Sequence, residues 1–100
     1  MAKFSYRMQS VLNIKYQLEN QAKMELGRAR VALMEEEEKL QNLSERKEAY
    51  LEEGRSLRRQ TLRVREIKDN KNALAIMDEL IEKQHLCVAE AEKKVEAARQ

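Results

Sequence analysis

The chain is 100 residues long, and 59 of them are Ala, Glu, Lys, Leu or Arg, with no Pro, no Trp, two Gly and one Phe. Twenty basic residues against eighteen acidic ones leave a net charge of +2, too small to select a partner by overall charge. Four aromatics and few β-branched residues cannot furnish a β-sandwich or a parallel sheet. Charged residues make up 38% of the chain and leave too little apolar material for a multilayer core, so the composition is that of an elongated, all-α protein.

The N-terminal residues Met1 to Arg7 lead into no apolar stretch of signal-peptide length. The longest apolar run, Ala73 to Met77, is far short of a membrane span. One cysteine, Cys87, excludes an internal disulfide and suits a reducing compartment. The expectation is a soluble cytoplasmic chain without direct membrane insertion.

The first predicted element is a long helix over about residues 3–66. Its apolar face runs Phe4, Met8, Val11, Lys15, Leu18 and Ala22 in steps of four and three. Leu26 follows by a second consecutive step of four, a stutter that locally relaxes heptad winding. The alternation then continues through Ala29, Leu33, Glu36, Leu40, Leu43, Lys47, Tyr50, Gly54, Leu57, Thr61 and Val64, interrupted by Glu36, Lys47, Gly54 and Thr61.

A reversal is expected at 67–71, because Asp69, Asn70 and Asn72 are residue types that compete for backbone hydrogen bonds and favour caps and turns. Asn70 or Asn72 is a candidate N-cap. The rival reading is one continuous helix, since the segment holds neither Gly nor Pro.

The second predicted helix covers about 72–100. Leu74, Met77, Ile81, Gln84, Val88, Ala91, Val95 and Ala98 alternate strictly by three and four, and seven of the eight are apolar. The expected architecture is a two-helix antiparallel coiled-coil hairpin forming one domain over 1–100. At 1.5 Å per residue the helices would be about 95 Å and about 43 Å long. Folding back from residue 69, Gln100 would reach only the neighbourhood of Glu38. Residues 1 to about 35 would then lack an intrachain partner. The second helix is therefore expected to be a truncated one, or the N-terminal face to bind another protein or a second copy.

Charge falls in blocks. Residues 1–34 carry +4, residues 35–53 carry −5, residues 54–71 carry +5 and residues 72–100 carry −2. The acidic block holds Glu35 to Glu38. The basic block holds Arg55, Arg58, Arg59, Arg63 and Arg65, which places a basic patch near the expected hairpin tip. Arginines ahead of the heptad residues Leu74, Ile81, Val88 and Val95 are also the ingredients of a basic-region zipper. The Asp69–Asn72 interruption and the neighbouring acidic runs argue against that use. An acidic protein surface suits the patch better, and a nucleic-acid partner is not expected.

No constellation supports catalysis. His85 and Cys87 are two residues apart and diverge on a helix, so they cannot share a metal. The Glu35–Glu38 run lacks a paired base or a Gly-rich phosphate cradle. From the residues alone, the chain is a non-enzymatic coiled-coil interaction module with no cofactor and with proteins as partners; a generic scaffold fits equally.

The opening segment Lys3-Phe4-Ser5-Tyr6-Arg7-Met8-Gln9-Ser10-Val11-Leu12-Asn13-Ile14-Lys15 resembles the start of the flagellar FliJ family. Gln21-Ala22-Lys23, Arg46-Lys47-Glu48-Ala49-Tyr50 and Asn70-Lys71-Asn72-Ala73-Leu74-Ala75-Ile76-Met77 are similar as well. The resemblance implies a component of the flagellar type III export apparatus, cytoplasmic and peripherally associated with the membrane at the flagellar base. It implies a coiled-coil stalk in the pore of the export ATPase, contact with the cytoplasmic domain of the membrane export gate, and escort of export chaperones. By the same resemblance the gate would be bound through positions Ala73, Met77, Leu80 and Gln84. Here the family's aromatic is replaced by Ala73, and its histidine lies one place on, at His85. The ATPase would be met by the N-terminal helix with Lys3, Arg7 and Met8.

Overall fold

The computed structural model describes residues 2–59 and 64–100. Two helices account for nearly all of them, α1 over Ala2–Arg59 and α2 over Val64–Arg99. They pack side by side, α2 against the C-terminal part of α1, in a rod of 92 × 16 × 14 Å. One continuous helix of 100 residues would be about 150 Å long, so the continuous-helix alternative is excluded. The partners Tyr50 with Asn70, Lys47 with Asp78 and Glu36 with Gln84 rise along α2 as they fall along α1. The hairpin is antiparallel, as expected.

The reversal lies elsewhere than the sequence placed it. Residues 67–71 are helical, and the chain changes direction between Arg59 and Val64. The cause is visible in the seam of α2. Ile67 and Asn70 extend its three-four alternation back from Leu74, and both face α1, Ile67 half-buried and Asn70 buried. The preference of Asn for turns comes from local hydrogen bonding, and here a more distant acceptor satisfies the side chain. Asn70 Nδ2 donates to the carbonyl oxygen of Tyr50 at 2.8 Å. Neither Asn70 nor Asn72 is an N-cap, since α2 begins at Val64.

The earlier reversal lengthens the pairing. Each residue by which the turn moves back carries α2 about two residues further along α1. In α1 the half-buried or buried positions include Leu26, Ala29, Leu33, Glu36, Leu40, Leu43, Lys47, Tyr50, Gly54 and Leu57, the expected seam beyond the stutter. Val64 is 76% exposed because it opens α2 instead of prolonging α1; Thr61 lies outside the described residues. The uncovered part of α1 is accordingly 3–25, where every residue is exposed, and not 1–35.

All eight expected seam positions of α2 are buried or half-buried. Met77, Val88, Ala91 and Val95 form the core at 5–8% exposure. Burying a Val or Met side chain stabilises by roughly 1.5–3 kcal/mol, so this regular strip holds the rod together. No helix among the described residues is long and apolar enough to cross a membrane.

Candidate partner-binding surfaces

The polar contacts inside the seam decide which side chains remain available to partners. Gln84 donates through Nε2 to the carbonyl oxygen of Glu36 at 2.9 Å and to its carboxylate at 2.5 Å. That hydrogen bond holds the Glu36 carboxyl below its ordinary titration range; partial desolvation opposes it, and Lys39 at 3.5 Å assists. At the other polar position Asn70 faces Gly54. A Cβ on Gly54 would stand 2.6 Å from Asn70 Oδ1, so glycine is what lets the buried amide fit. Lys47 Nζ and Asp78 Oδ1, 2.7 Å apart, form an exposed bridge between the helices.

These contacts divide the expected gate-binding set. Met77 is buried at 5% and Ala73 is half-buried. Gln84 is half-buried and committed to Glu36. Leu80 alone of the four is exposed, at 41%. The four are therefore not brought together on one outward face. Leu80 instead shares a solvent-facing stripe with Ile76, one turn earlier, and Cys87, seven residues later, both exposed. Ile76 was missed by the sequence reading, although its spacing of four from Leu80 marks it as a neighbour.

Near the hairpin tip, Tyr50, Leu57, Asn70 and Ala73 line a groove of ≈ 450 Å3 rimmed by Glu53, Glu66 and Asp69. Arg58 and Arg59 occupy the last turn of α1 and Arg65 the first turn of α2, all exposed. Arg55 pairs with Glu52 at 3.1 Å. Arg63 lies outside the described residues. Arg58 and Arg59 also offset the negative end of the α1 dipole, so a structural use accompanies any docking role.

The zipper alternative loses its dimer face. Leu74, Ile81, Val88 and Val95 pack against α1 within the chain, each buried or half-buried, and cannot serve a second basic helix. His85 and Cys87 are exposed, and no metal-binding group of His, Cys, Asp or Glu occurs among the described residues.

The remaining surface is the N-terminal arm. Lys3 and Arg7, one turn apart, are exposed. Met8, at 50% exposure, lies on the apolar stripe with Phe4, Val11 and Leu18. The arm thus presents an uncovered apolar strip with cations beside it, suited to a partner helix or a groove lined by acidic and apolar side chains.

A family model described as Flagellar FliJ protein matches residues 4–100. No curated protein and no solved structure matches the chain.

Proposed function

Because the chain belongs to the FliJ family of flagellar export components, we propose that it acts as a coiled-coil stalk in the flagellar type III protein export apparatus. It binds the export ATPase through the N-terminal arm and the cytoplasmic domain of the export gate through α2, escorts export chaperones, and catalyses nothing itself. It works in the cytoplasm, held peripherally at the membrane by these partners.

The observation that carries this proposal is the family match over residues 4–100 on a 92 Å helical rod. A rod of that length can hold two partners at once, one at the arm and one nearer the tip. Lys3, Arg7 and Met8 supply the ATPase contact. Leu80 supplies the outward part of the gate contact, with Ile76 beside it, whereas Ala73, Met77 and Gln84 support that surface from within the seam.

Adding the purified chain to its cognate export ATPase tests the proposal. The expected result is a higher hydrolysis rate or a larger hexamer population, reduced by Lys3→Glu with Arg7→Glu. No change at saturating chain, while a full-length relative stimulates the same enzyme, would exclude the stalk role.

A further inference from the structure

Near the turn, the charge of the hairpin divides between its two flanks. Glu53 and Glu66 each precede a seam residue, Gly54 and Ile67, and lie on one flank. Arg58 and Lys71 each follow one, Leu57 and Asn70, and lie on the other. A segment that is basic as a whole, +5 over residues 54–71, thus turns an acidic edge to one side. That edge borders the groove of ≈ 450 Å3 with Tyr50, Leu57 and Ala73 as walls and Glu53, Glu66 and Asp69 along the margin. Among the described residues no cation lines it.

Asn70 adds an independent feature. It is 5% exposed and lines the same groove. Its Nδ2 donates to the Tyr50 carbonyl, but no donor among the described residues reaches its Oδ1. No fully buried side-chain nitrogen or oxygen among them lacks a partner. Oδ1 therefore keeps its small accessible area, and the groove is the opening beside it. Gly54 places no side chain over that oxygen. A nearly buried acceptor without a donor costs free energy that a bound donor recovers. The carboxylates of Glu53 and Asp69, both exposed, have no ion pair or hydrogen bond to any described residue. Arg55, the cation nearest to Glu53 along α1, is paired with Glu52.

We propose that this groove takes an arginine side chain from an exposed segment of a partner protein. The apolar walls accept its methylene stem, and Tyr50 offers aromatic surface of the kind on which guanidinium groups stack. The guanidinium carries five donors and no acceptor. The groove presents the converse, the Asn70 amide oxygen within and the Glu53 and Asp69 carboxylates at the margin. A lysine would match the charge, but its donors diverge from a single nitrogen and serve so spread a set less well. An apolar ligand would desolvate these acceptors and leave them unpaired.

The surroundings favour an arginine within a chain over a free cation. Asp69, Ala73, Ile76 and Leu80 follow one another by four and three along one edge of α2. Residues next to the arginine therefore have the exposed Ile76 and Leu80 to rest on. The arginine site is independent of the ATPase contact.

Titrating the full 15N-labelled chain with a short peptide, one arginine between leucines, and following its magnetic resonance spectrum decides the matter. Control peptides carry citrulline or lysine in place of arginine. The expected result is a saturable shift of the Asn70 side-chain amide and of the Asp69 and Ala73 backbone amides. Citrulline should bind about tenfold more weakly or worse, as for loss of a charge-assisted hydrogen bond, and lysine more weakly than arginine. Glu53→Gln with Asp69→Asn should weaken the arginine peptide to the same degree. Thermal unfolding stays in place in that variant, since both carboxylates are exposed and unpaired. No saturable shift at Asn70 by about 1 mM peptide, which means a Kd weaker than that, overturns the proposal. So does equal binding of the citrulline or lysine peptide, equal binding by the double variant, or spermidine binding as tightly as the arginine peptide.

Discussion

Asn70 and Gly54 face each other across the hairpin, with the amide oxygen of Asn70 2.6 Å from where a Cβ on Gly54 would stand. The same amide is tethered through Nδ2 to the Tyr50 carbonyl, so it cannot swing away without losing a buried hydrogen bond. A buried asparagine in a coiled-coil seam selects register at some cost in stability, and here it does so with a glycine as its counterpart.

The two glycines should therefore respond oppositely to alanine. At Gly27 a Cβ would meet nothing within 4 Å, and Gly27→Ala should stabilise by up to about 1 kcal/mol through helix propensity. Gly54→Ala gains the same propensity but meets Asn70, and overpacking costs about 1–3 kcal/mol. A net loss of about 1 kcal/mol is expected from these opposed terms. Urea unfolding of both variants measures the difference, and equal gains at the two sites would refute the Asn70 contact. Adding Asn70→Ala should remove most of the penalty at Gly54.

Met77 and Leu80 should separate folding from binding. Met77→Ala removes a side chain that is 5% exposed and should cost about 2–5 kcal/mol. Leu80→Glu alters an exposed position and should leave stability within about 0.5 kcal/mol. If Leu80 contacts the export gate, Leu80→Glu weakens gate binding at unchanged melting temperature. Intact binding by a Leu80→Glu, Ile76→Glu double variant would remove this stripe from the gate surface.

Acid should weaken the rod through Glu36. Its carboxyl titrates below its ordinary value, chiefly because Gln84 hydrogen-bonds the ionised form. A depressed folded-state pKa contributes stability above the unfolded value that is lost as pH falls through the folded one. The contribution is thus complete above about pH 4.5 and declines below it. Gln84→Leu should flatten the decline, as seen in melting temperatures from pH 7 down to pH 3. An unchanged acid slope would show that other carboxylates govern it.

The Lys47–Asp78 bridge should matter little. Both side chains are more than a third exposed, and such pairs contribute about 0.2–1 kcal/mol in low salt. Asp78→Asn should shift stability by less than about 1 kcal/mol, and the shift should shrink as salt screens the pair. A larger, salt-independent loss would mean that Asp78 has a packing role.

Much of the fold was legible in the sequence. The three-four spacing of apolar residues named the interface of α1 from Leu26 to Leu57 and all of that from Leu74 to Ala98, because helical periodicity is a local property. The candidate sites were less legible. Spacing put Met77 on the seam and Leu80 beside it, as their exposures of 5% and 41% bear out, but that Gln84 is committed to the Glu36 carbonyl depends on where α1 lies against α2.

Composition and periodicity by themselves determined that the chain is helical, paired and elongated, and which faces pair. The tertiary structure alone decided where the chain reverses and how far the pairing reaches. Asn70 shows why. Its turn preference expresses competition for nearby backbone groups, while its place in the seam depends on a carbonyl at Tyr50 and a vacancy at Gly54, twenty and sixteen residues away. Only when α1 is alongside do those two positions become neighbours. With the amide satisfied there, the helix runs back through 67–71 to Val64 and the free arm shortens to residues 3–25.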